Sequence, residues 1–246
     1  MKTKVWAHRG ASGYMPENTL PSFQKAVELG ADGVELDIQL SKDGEIVVCH
    51  DEMVDRTSNA KGWLKDYTLA ELKEMDFSYQ FKELGKVSIP TMKEVFELLK
   101  PTNLIINIEL KTGIFDYEGI EEKIIALTHA EGFEDRVIYS SFNHYSIMKI
   151  QELDPNAKTA FLYSDGPLDM PLYGYEHHVN ALHPAAYNLR LPDFMEECNV
   201  YHLDVNVWTV NTEEIALMCL KYGVNTLITN YPDRIKKVID QYETGI

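Results

Sequence analysis

The sequence predicts a (β/α)₈ TIM barrel, and three observations predict it. Short β-rich runs alternate with amphipathic helical runs along the whole chain. Eight such runs are spread over 246 residues, the length at which eight strand–helix units close one barrel. No glycine-rich dinucleotide loop follows any of them, which sets aside the competing doubly wound open sheet.

In chain order the predicted strands are Lys4–His8, Gly33–Ile38, Leu104–Leu110, Val137–Ser141, Thr159–Tyr163, Val179–His183, Asn206–Val210 and Thr226–Thr229. Asn18 to Leu29 reads as the first helix, with Asn18 as its cap and Gly30 as its stop. Asn211, with Glu214 three residues on, reads as a capping-box variant ahead of a helix at Ile215–Tyr222. Between the second strand and Leu104 lie about sixty-five residues, too many for one crossover. They open with "LSKDGEIVVCHD", where Asp43-Gly44 signals a two-residue hairpin. In such a hairpin Lys42 faces Glu45 and His50 folds back onto Asp37. The remainder, residues 51–102, reads as an inserted subdomain with helices at Thr68–Met75 and Thr91–Lys100. Because it leaves from the carboxyl end of a strand, it is expected over the barrel mouth. The whole chain, 1–246, is then one barrel domain carrying that insertion.

Composition removes several classes of function. The formal net charge is −16, which disfavours nucleic acid and anionic lipid, since both are bound by basic surfaces. An anionic ligand would have to be attracted by a few local groups or a metal. No apolar stretch approaches the roughly 18 residues of a membrane span, so no stable membrane association is expected. The first motif begins at position 8, leaving no room for a leader, so a cytoplasmic protein is expected. Cys49, Cys198 and Cys219 are an odd number at wide spacing and read as buried, inert thiols. A homo-oligomer remains open.

Carboxylates supply the first chemical signal. Side chains alternate across a strand, so Glu35 and Asp37 share a face while Val34, Leu36 and Ile38 take the other. Asn107, Glu109 and Lys111 alternate with Ile106, Ile108 and Leu110 in the same way. Three inward carboxylates on neighbouring strands repel in a low-dielectric interior unless a cation sits among them. An all-oxygen set suits a hard divalent cation: Mg²⁺ first, with Ca²⁺ or Mn²⁺ as alternatives. The competing reading is a buried charge network in which Glu35 and Asp37 pair with Arg9 and Lys111. His8 ends the first strand and His50 is delivered by the hairpin, so two groups that titrate near neutral pH flank the carboxylates. His183, at the end of the sixth predicted strand, is a further candidate for substrate contact.

The blocks "HRGASGYMPENT", "VELDIQLSKDGEIVVCHD", "DRTSNAKG", "NIELK", "YSSF" and "WTVN" resemble, in order and spacing, those of the glycerophosphodiester phosphodiesterase family of bacterial cytoplasmic type. The resemblance spans nearly the whole chain. It implies metal-dependent hydrolysis of a small glycerophosphodiester, such as glycerophosphocholine or glycerophosphoethanolamine, to sn-glycerol 3-phosphate and an alcohol. It implies His8 and His50 as the acid–base pair, and Glu35, Asp37 and Glu109 as metal ligands. Arg9 and Lys111 are implied as phosphate-binding groups, and Trp208 as an aromatic of the substrate pocket. By analogy with related barrel phosphodiesterases, the neighbouring glycerol hydroxyl is a possible nucleophile. One departure is Asn230, where the family often has Asp. The alternatives are a lysophospholipase D, a phosphatidylinositol phospholipase C-like enzyme on the same barrel, or a non-catalytic phosphodiester-binding protein.

Overall fold

The computed structural model describes residues 2–245. Its strands are β1 (Lys4–His8), β2 (Gly33–Leu40), β3 (Ile46–Val48), β4 (Ile105–Leu110), β5 (Val137–Ser141), β6 (Lys158–Tyr163), β7 (Ala181–Pro184), β8 (Asp204–Val207) and β9 (Thr226–Thr229). All but β3 are parallel to their neighbours and run in the order β1-β9-β8-β7-β6-β5-β4-β2. Pairing of β1 with β2 closes the ring, which makes an eight-stranded parallel barrel. The helices are α1 (Leu20–Glu28), α2 (Leu69–Glu74), α3 (Met92–Leu99), α4 (Ile120–Glu131), α5 (His144–Leu153), α6 (Met170–Glu176), α7 (Phe194–Val200), α8 (Glu213–Tyr222) and α9 (Pro232–Thr244).

The local chemistry explains these elements. Every residue of β2 is buried, as a strand with a filled barrel on one face and helices on the other must be. Helix α3 starts at Thr91, whose hydroxyl accepts from the Glu94 amide at 3.2 Å while the Glu94 carboxylate accepts from the Thr91 amide at 2.7 Å. Its Met92, Val95, Phe96 and Leu99 form one buried stripe, and Phe96 stacks on Phe133 with ring centroids 4.4 Å apart. Those side chains belong to the main core, although α3 falls within the 51–102 segment. A second, smaller core of Val47, Cys49, Val54, Leu64, Leu72, Met75, Phe77 and Ile89 holds the rest of that segment together. All three cysteines are buried and free. Among the described residues no helix is long and apolar enough to cross a membrane.

The structure corrects the hairpin. Its loop has three residues, not two: Ser41 donates its amide to the Glu45 carbonyl at 3.0 Å, and Gly44 takes φ +79°. That is the turn followed by a left-handed residue that three-residue hairpins use. Asp43 is spent on the loop itself, accepting from the Ser41 hydroxyl at 2.7 Å and from the Leu69 amide at 2.9 Å. The register therefore pairs Ile38 with Val48, and the Cys49 amide meets the Asp37 carbonyl. His50 lies one residue past the expected partner. It still reaches the mouth, because the Gln39 amide collects the carbonyls of Cys49, His50 and Asp51 at 2.8, 3.3 and 2.9 Å and bends the chain inward.

Two caps are also corrected. Helix α1 is capped by Thr19, while Asn18 sits at φ +56° with its side chain turned to Asp37. Helix α8 is capped by Thr212, whose hydroxyl accepts from the Ile215 amide. Asn211 instead accepts from the Asn230 amide at 2.9 Å and from the Thr229 hydroxyl at 3.2 Å, stitching the ends of β8 and β9 together.

Candidate active site

Barrel register builds the site in two rows. His8 pairs with Glu35 and Glu35 with Asn107; one step further along the strands, Asp37 pairs with Glu109. Residues two apart on a strand share a face, so both rows point into the barrel at its carboxyl end. One cavity there is lined by His8, Arg9, Glu35, His50, Asn107, Glu109, Phe142, Leu162, Trp208 and Ile228, with about 370 Å³ of open space including its mouth. Of the eight residues singled out for chemistry, six line it: His8, Arg9, Glu35, His50, Glu109 and Trp208. Asp37 and Lys111 lie immediately behind them.

Arg9 follows β1 in the left-handed region, φ +55°, a conformation that a non-glycine residue adopts at a cost. What holds it there is the set of bonds it makes. Its amide donates to Glu35 Oε2 at 2.9 Å, and its carbonyl accepts from the Asn18 amide and the Ser22 hydroxyl at 2.9 and 3.0 Å. Gly10 has no alternative, since a Cβ at φ +77° would lie 2.3 Å from Ser22 Oγ.

Glu35, Asp37 and Glu109 are all buried, and one carboxylate oxygen of each lies within 4.8 Å of the others. Burial, then the Asp37 and Glu109 charges, raises the Glu35 carboxyl well above its ordinary range; burial and then Asp37 also raise Glu109. Asp37 goes the other way. Burial opposes its ionisation, but His50, Arg9, Lys111 and the Asn18 amide at 2.8 Å together hold it below the ordinary range. Two oxygens bound to one ion lie no further apart than twice the metal–oxygen distance, about 4–5 Å. Asp37 Oδ1 and Asn107 Oδ1 are buried without a hydrogen-bond donor. Crowded carboxylates and orphaned acceptors in one place fit a hard divalent cation.

The histidines stand on either side of the carboxylates with different partners behind them. His8 Nδ1 donates to Asn230 Oδ1 at 2.6 Å, which leaves Nε2 facing Glu35 at 3.9 Å. Burial and then the Arg9 charge push the His8 ring down to about 4, so it is neutral near pH 7. His50 Nδ1 donates to the Asp51 carboxylate at 2.7 Å. Lys111 Nζ lies 3.0 Å from Glu109 Oε1 and 3.3 Å from His50 Nε2. Burial works against the Lys111 ammonium, but Glu109 and Asp37 hold it charged. Arg9 spends Nη1 on Glu17 at 2.8 Å, while its buried Nε–H has no acceptor in bonding distance; Asp37 is 3.7 Å away.

On the wall opposite, Trp208 donates Nε1 to the His183 carbonyl at 2.8 Å and meets Phe142 edge to face at 5.7 Å between centroids. His183 itself does not line the cavity. It is fully buried, accepts at Nε2 from the Asn206 amide Nδ2 at 2.9 Å, and is pushed by burial down to about 3. Sequence reasoning placed Asn107 on the inward face without giving it a role, and missed Glu17, Asp51, Asn18 and Phe142 as parts of the site. Glu17 lies in "PENT" and Phe142 in "YSSF", so the signal was present as motif membership only.

Comparison with known proteins agrees with this geometry. The model of the glycerophosphoryl diester phosphodiesterase family matches residues 8–234. The chain belongs to this family. A glycerophosphodiester phosphodiesterase of Caldanaerobacter subterraneus subsp. tengcongensis is 43% identical over 240 residues, covering 97% of this chain and 98% of the relative. One from Bacillus altitudinis is 41% identical over 245 residues, covering 97% and 99%. Among solved structures, an Oleispira antarctica phosphodiesterase in complex with the product sn-glycerol-3-phosphate superimposes with a TM-score of 0.86. That protein is 30% identical, and the match covers 97% of each chain. As a family member the chain is an enzyme, a phosphodiesterase on a (β/α)₈ barrel.

Proposed function

We propose that the enzyme hydrolyses small glycerophosphodiesters, glycerophosphocholine and glycerophosphoethanolamine among them, to sn-glycerol 3-phosphate and an alcohol. The observation that carries this reading is the convergence, in one cavity, of two histidines on a three-carboxylate cluster backed by Arg9 and Lys111. Glu35, Asp37 and Glu109 would hold one divalent cation, Mg²⁺ in the first instance with Ca²⁺ or Mn²⁺ as alternatives. Bound there, such an ion neutralises phosphoryl oxygens and makes a nearby hydroxyl or water easier to deprotonate.

The chain's own groups divide the remaining work. Arg9 offers its unpartnered Nε–H to a phosphoryl oxygen, and the Lys111 ammonium adds a point charge. His8, neutral and bare at Nε2, accepts the proton of the nucleophile, either the adjacent glycerol hydroxyl or water. His50 delivers a proton to the leaving oxygen, and the Asp51 carboxylate behind the ring balances the charge that proton carries. Asn230 serves His8 without a charge: a neutral amide fixes the tautomer and leaves the ring free to act as a base. Trp208 and Phe142 form the apolar wall for the organic part of the substrate.

The test is direct. His8→Ala and His50→Ala are each expected to lower kcat on glycerophosphocholine by at least ~10². Turnover at the wild-type level in either variant removes that residue from the mechanism. Lysophosphatidylcholine in the same assay separates this reading from a lysophospholipase D: the expected preference is for the deacylated diester. Calorimetric binding of glycerophosphocholine without release of choline would instead point to a binding protein.

A further inference from the structure

Arg56, in the insertion block "DRTSNAKG", has no part in the mechanism above, yet it makes four charge-assisted hydrogen bonds at the edge of the site. Its Nη1 and Nη2 donate to Glu17 Oε2 and Oε1 at 2.6 and 2.7 Å. Its Nε and Nη2 donate to Asp51 Oδ2 and Oδ1 at 2.7 and 3.0 Å. Each of those carboxylates continues to a working group. Glu17 Oε1 accepts from Arg9 Nη1 at 2.8 Å, and Asp51 Oδ1 accepts from His50 Nδ1 at 2.7 Å. Arg9 comes from the loop after β1 and His50 from the end of the hairpin; strand β2 joins the two backbones, but it does not fix how the two side chains are oriented. Arg56 links the two side chains through the carboxylates behind them, in the chain Arg9–Glu17–Arg56–Asp51–His50.

The residue is anchored for that task. The Arg56 guanidinium lies 5.9 Å from the centroid of the Tyr79 ring. Its neighbour Val54 belongs to the small second core, and the Val54 amide is bonded to the Gly62 carbonyl at 3.0 Å. A planar guanidinium presents donors along two edges and can serve two carboxylates at once; an ammonium on a flexible stem offers no such fork. Burial works against ionisation of Glu17, but Arg56 and Arg9 hold it ionised.

We propose that Arg56 is a positioning residue that sets the orientation of the His50 imidazole and the Arg9 guanidinium toward the phosphate, coupling the inserted segment to catalysis. Arg56 does not itself touch substrate. Through Asp51 it aims His50 Nε2 at the leaving oxygen, and through Glu17 it holds Arg9 Nη1 so that Nε faces the cavity. The inference rests on the role given to His50 above.

Leaving-group dependence tests it. Choline departs as an alkoxide that needs a proton, whereas para-nitrophenolate departs without one. The measured quantity is the ratio of kcat on a para-nitrophenyl glycerophosphodiester to kcat on glycerophosphocholine, taken on one preparation so that the folded fraction cancels. Arg56→Ala and Arg56→Lys are expected to raise this ratio at least about tenfold, part of the ~10²–10⁴ that a well-placed proton donor supplies. His50→Ala must raise it at least as much. If His50→Ala raises the ratio and neither Arg56 variant does, the positioning role is overturned while the mechanism stands. If His50→Ala leaves the ratio unchanged, the acid assignment fails, and the role of Arg56 falls with it.

Discussion

Replacing Glu35 by Gln should make the protein more stable without a metal and less responsive to one. The two residues have the same shape, and the Gln oxygen can still accept from the Arg9 amide that now donates at 2.9 Å. What changes is charge. Across the 4.8 Å that bounds the carboxylate oxygens, two unit charges at an effective dielectric of about 20 repel by about 3 kcal/mol. Glu35 escapes part of this by keeping its proton, so the gain to be seen in chelator near neutral pH is smaller, about 1–2 kcal/mol. For a chain of this length that is an increase in Tm of about 2–8 °C.

The pH dependence has a definite sign. The folded-state value of Glu35 lies above its unfolded value of 4.5, so the protonated carboxyl favours folding below that value. This contribution is lost as pH rises toward the folded-state value. The advantage of Glu35→Gln in chelator should therefore grow with rising pH and vanish toward about pH 4. A cation reverses the order. At one hundred times its dissociation constant it stabilises the wild type by about 2.7 kcal/mol, or about 5–11 °C, while the variant has lost one of three charged ligands. Thermal melts of both proteins in EDTA and in Mg²⁺, Mn²⁺ or Ca²⁺ should cross. A wild type whose Tm ignores all three ions, or a variant that melts below it in EDTA, would refute the crowded-carboxylate argument.

Three further outcomes are expected. Arg9→Lys keeps the charge but loses the fork shared between Glu17 and the phosphate, so KM for glycerophosphocholine should rise about tenfold or more in steady-state kinetics; an unchanged KM removes Arg9 from phosphate binding. His183 is neutral in the fold, at about 3 against 6.5 unfolded, so its stabilising contribution is complete above pH 6.5 and drains away as pH falls toward 3. His183→Gln, which can still bond Asn206 and takes no proton, should show a shallower loss of Tm between pH 6.5 and 4, and an equally steep loss contradicts the assignment. With a net charge of −16, the protein should repel an anionic diester such as glycerophosphoglycerol, so raising salt from 10 to 200 mM should increase its kcat/KM more than that for zwitterionic glycerophosphocholine. The same salt response for both substrates would count against long-range repulsion.

Much of the barrel and of the reacting groups was legible because both are written in short-range periodicity. Glu35 and Asp37 on one strand, and Asn107 and Glu109 on its neighbour, needed only alternation and strand order to be brought together. What escaped was whatever depended on a single residue of register or on contacts between distant segments. The dipeptide Asp43-Gly44 fits a two-residue loop, and only the bonds of Asp43 to Ser41 and Leu69 show the third residue that shifts the pairing. Asn18 and Asn211 have the composition of helix caps, but a threonine follows each and can take that place, freeing the asparagine to hold Asp37 in one case and the Asn230 backbone in the other. His8 and Asn230 are 222 residues apart and meet only because closure of the barrel sets β1 beside β9. No local pattern carries that pairing.

Charge balance explains why these scattered contacts belong to one design. Glu17, Glu35, Asp37, Asp51 and Glu109 are joined by short contacts to Arg9, Arg56 and Lys111. With every carboxyl ionised and both histidines neutral, the network carries two uncompensated negative charges. A low-dielectric site tolerates that poorly, and the raised values at Glu35 and Glu109 are the form the cost takes. A divalent cation held by Glu35, Asp37 and Glu109 would remove the excess and ease the approach of a phosphodiester anion to a protein whose overall charge opposes it. In the proposed mechanism the anion's single charge would be matched by the proton that His50 delivers to the leaving alcohol. The cation, the substrate and the acid-form histidine would then balance one another, with Arg56 the fixed charge that keeps Glu17 and Asp51 ionised behind Arg9 and His50.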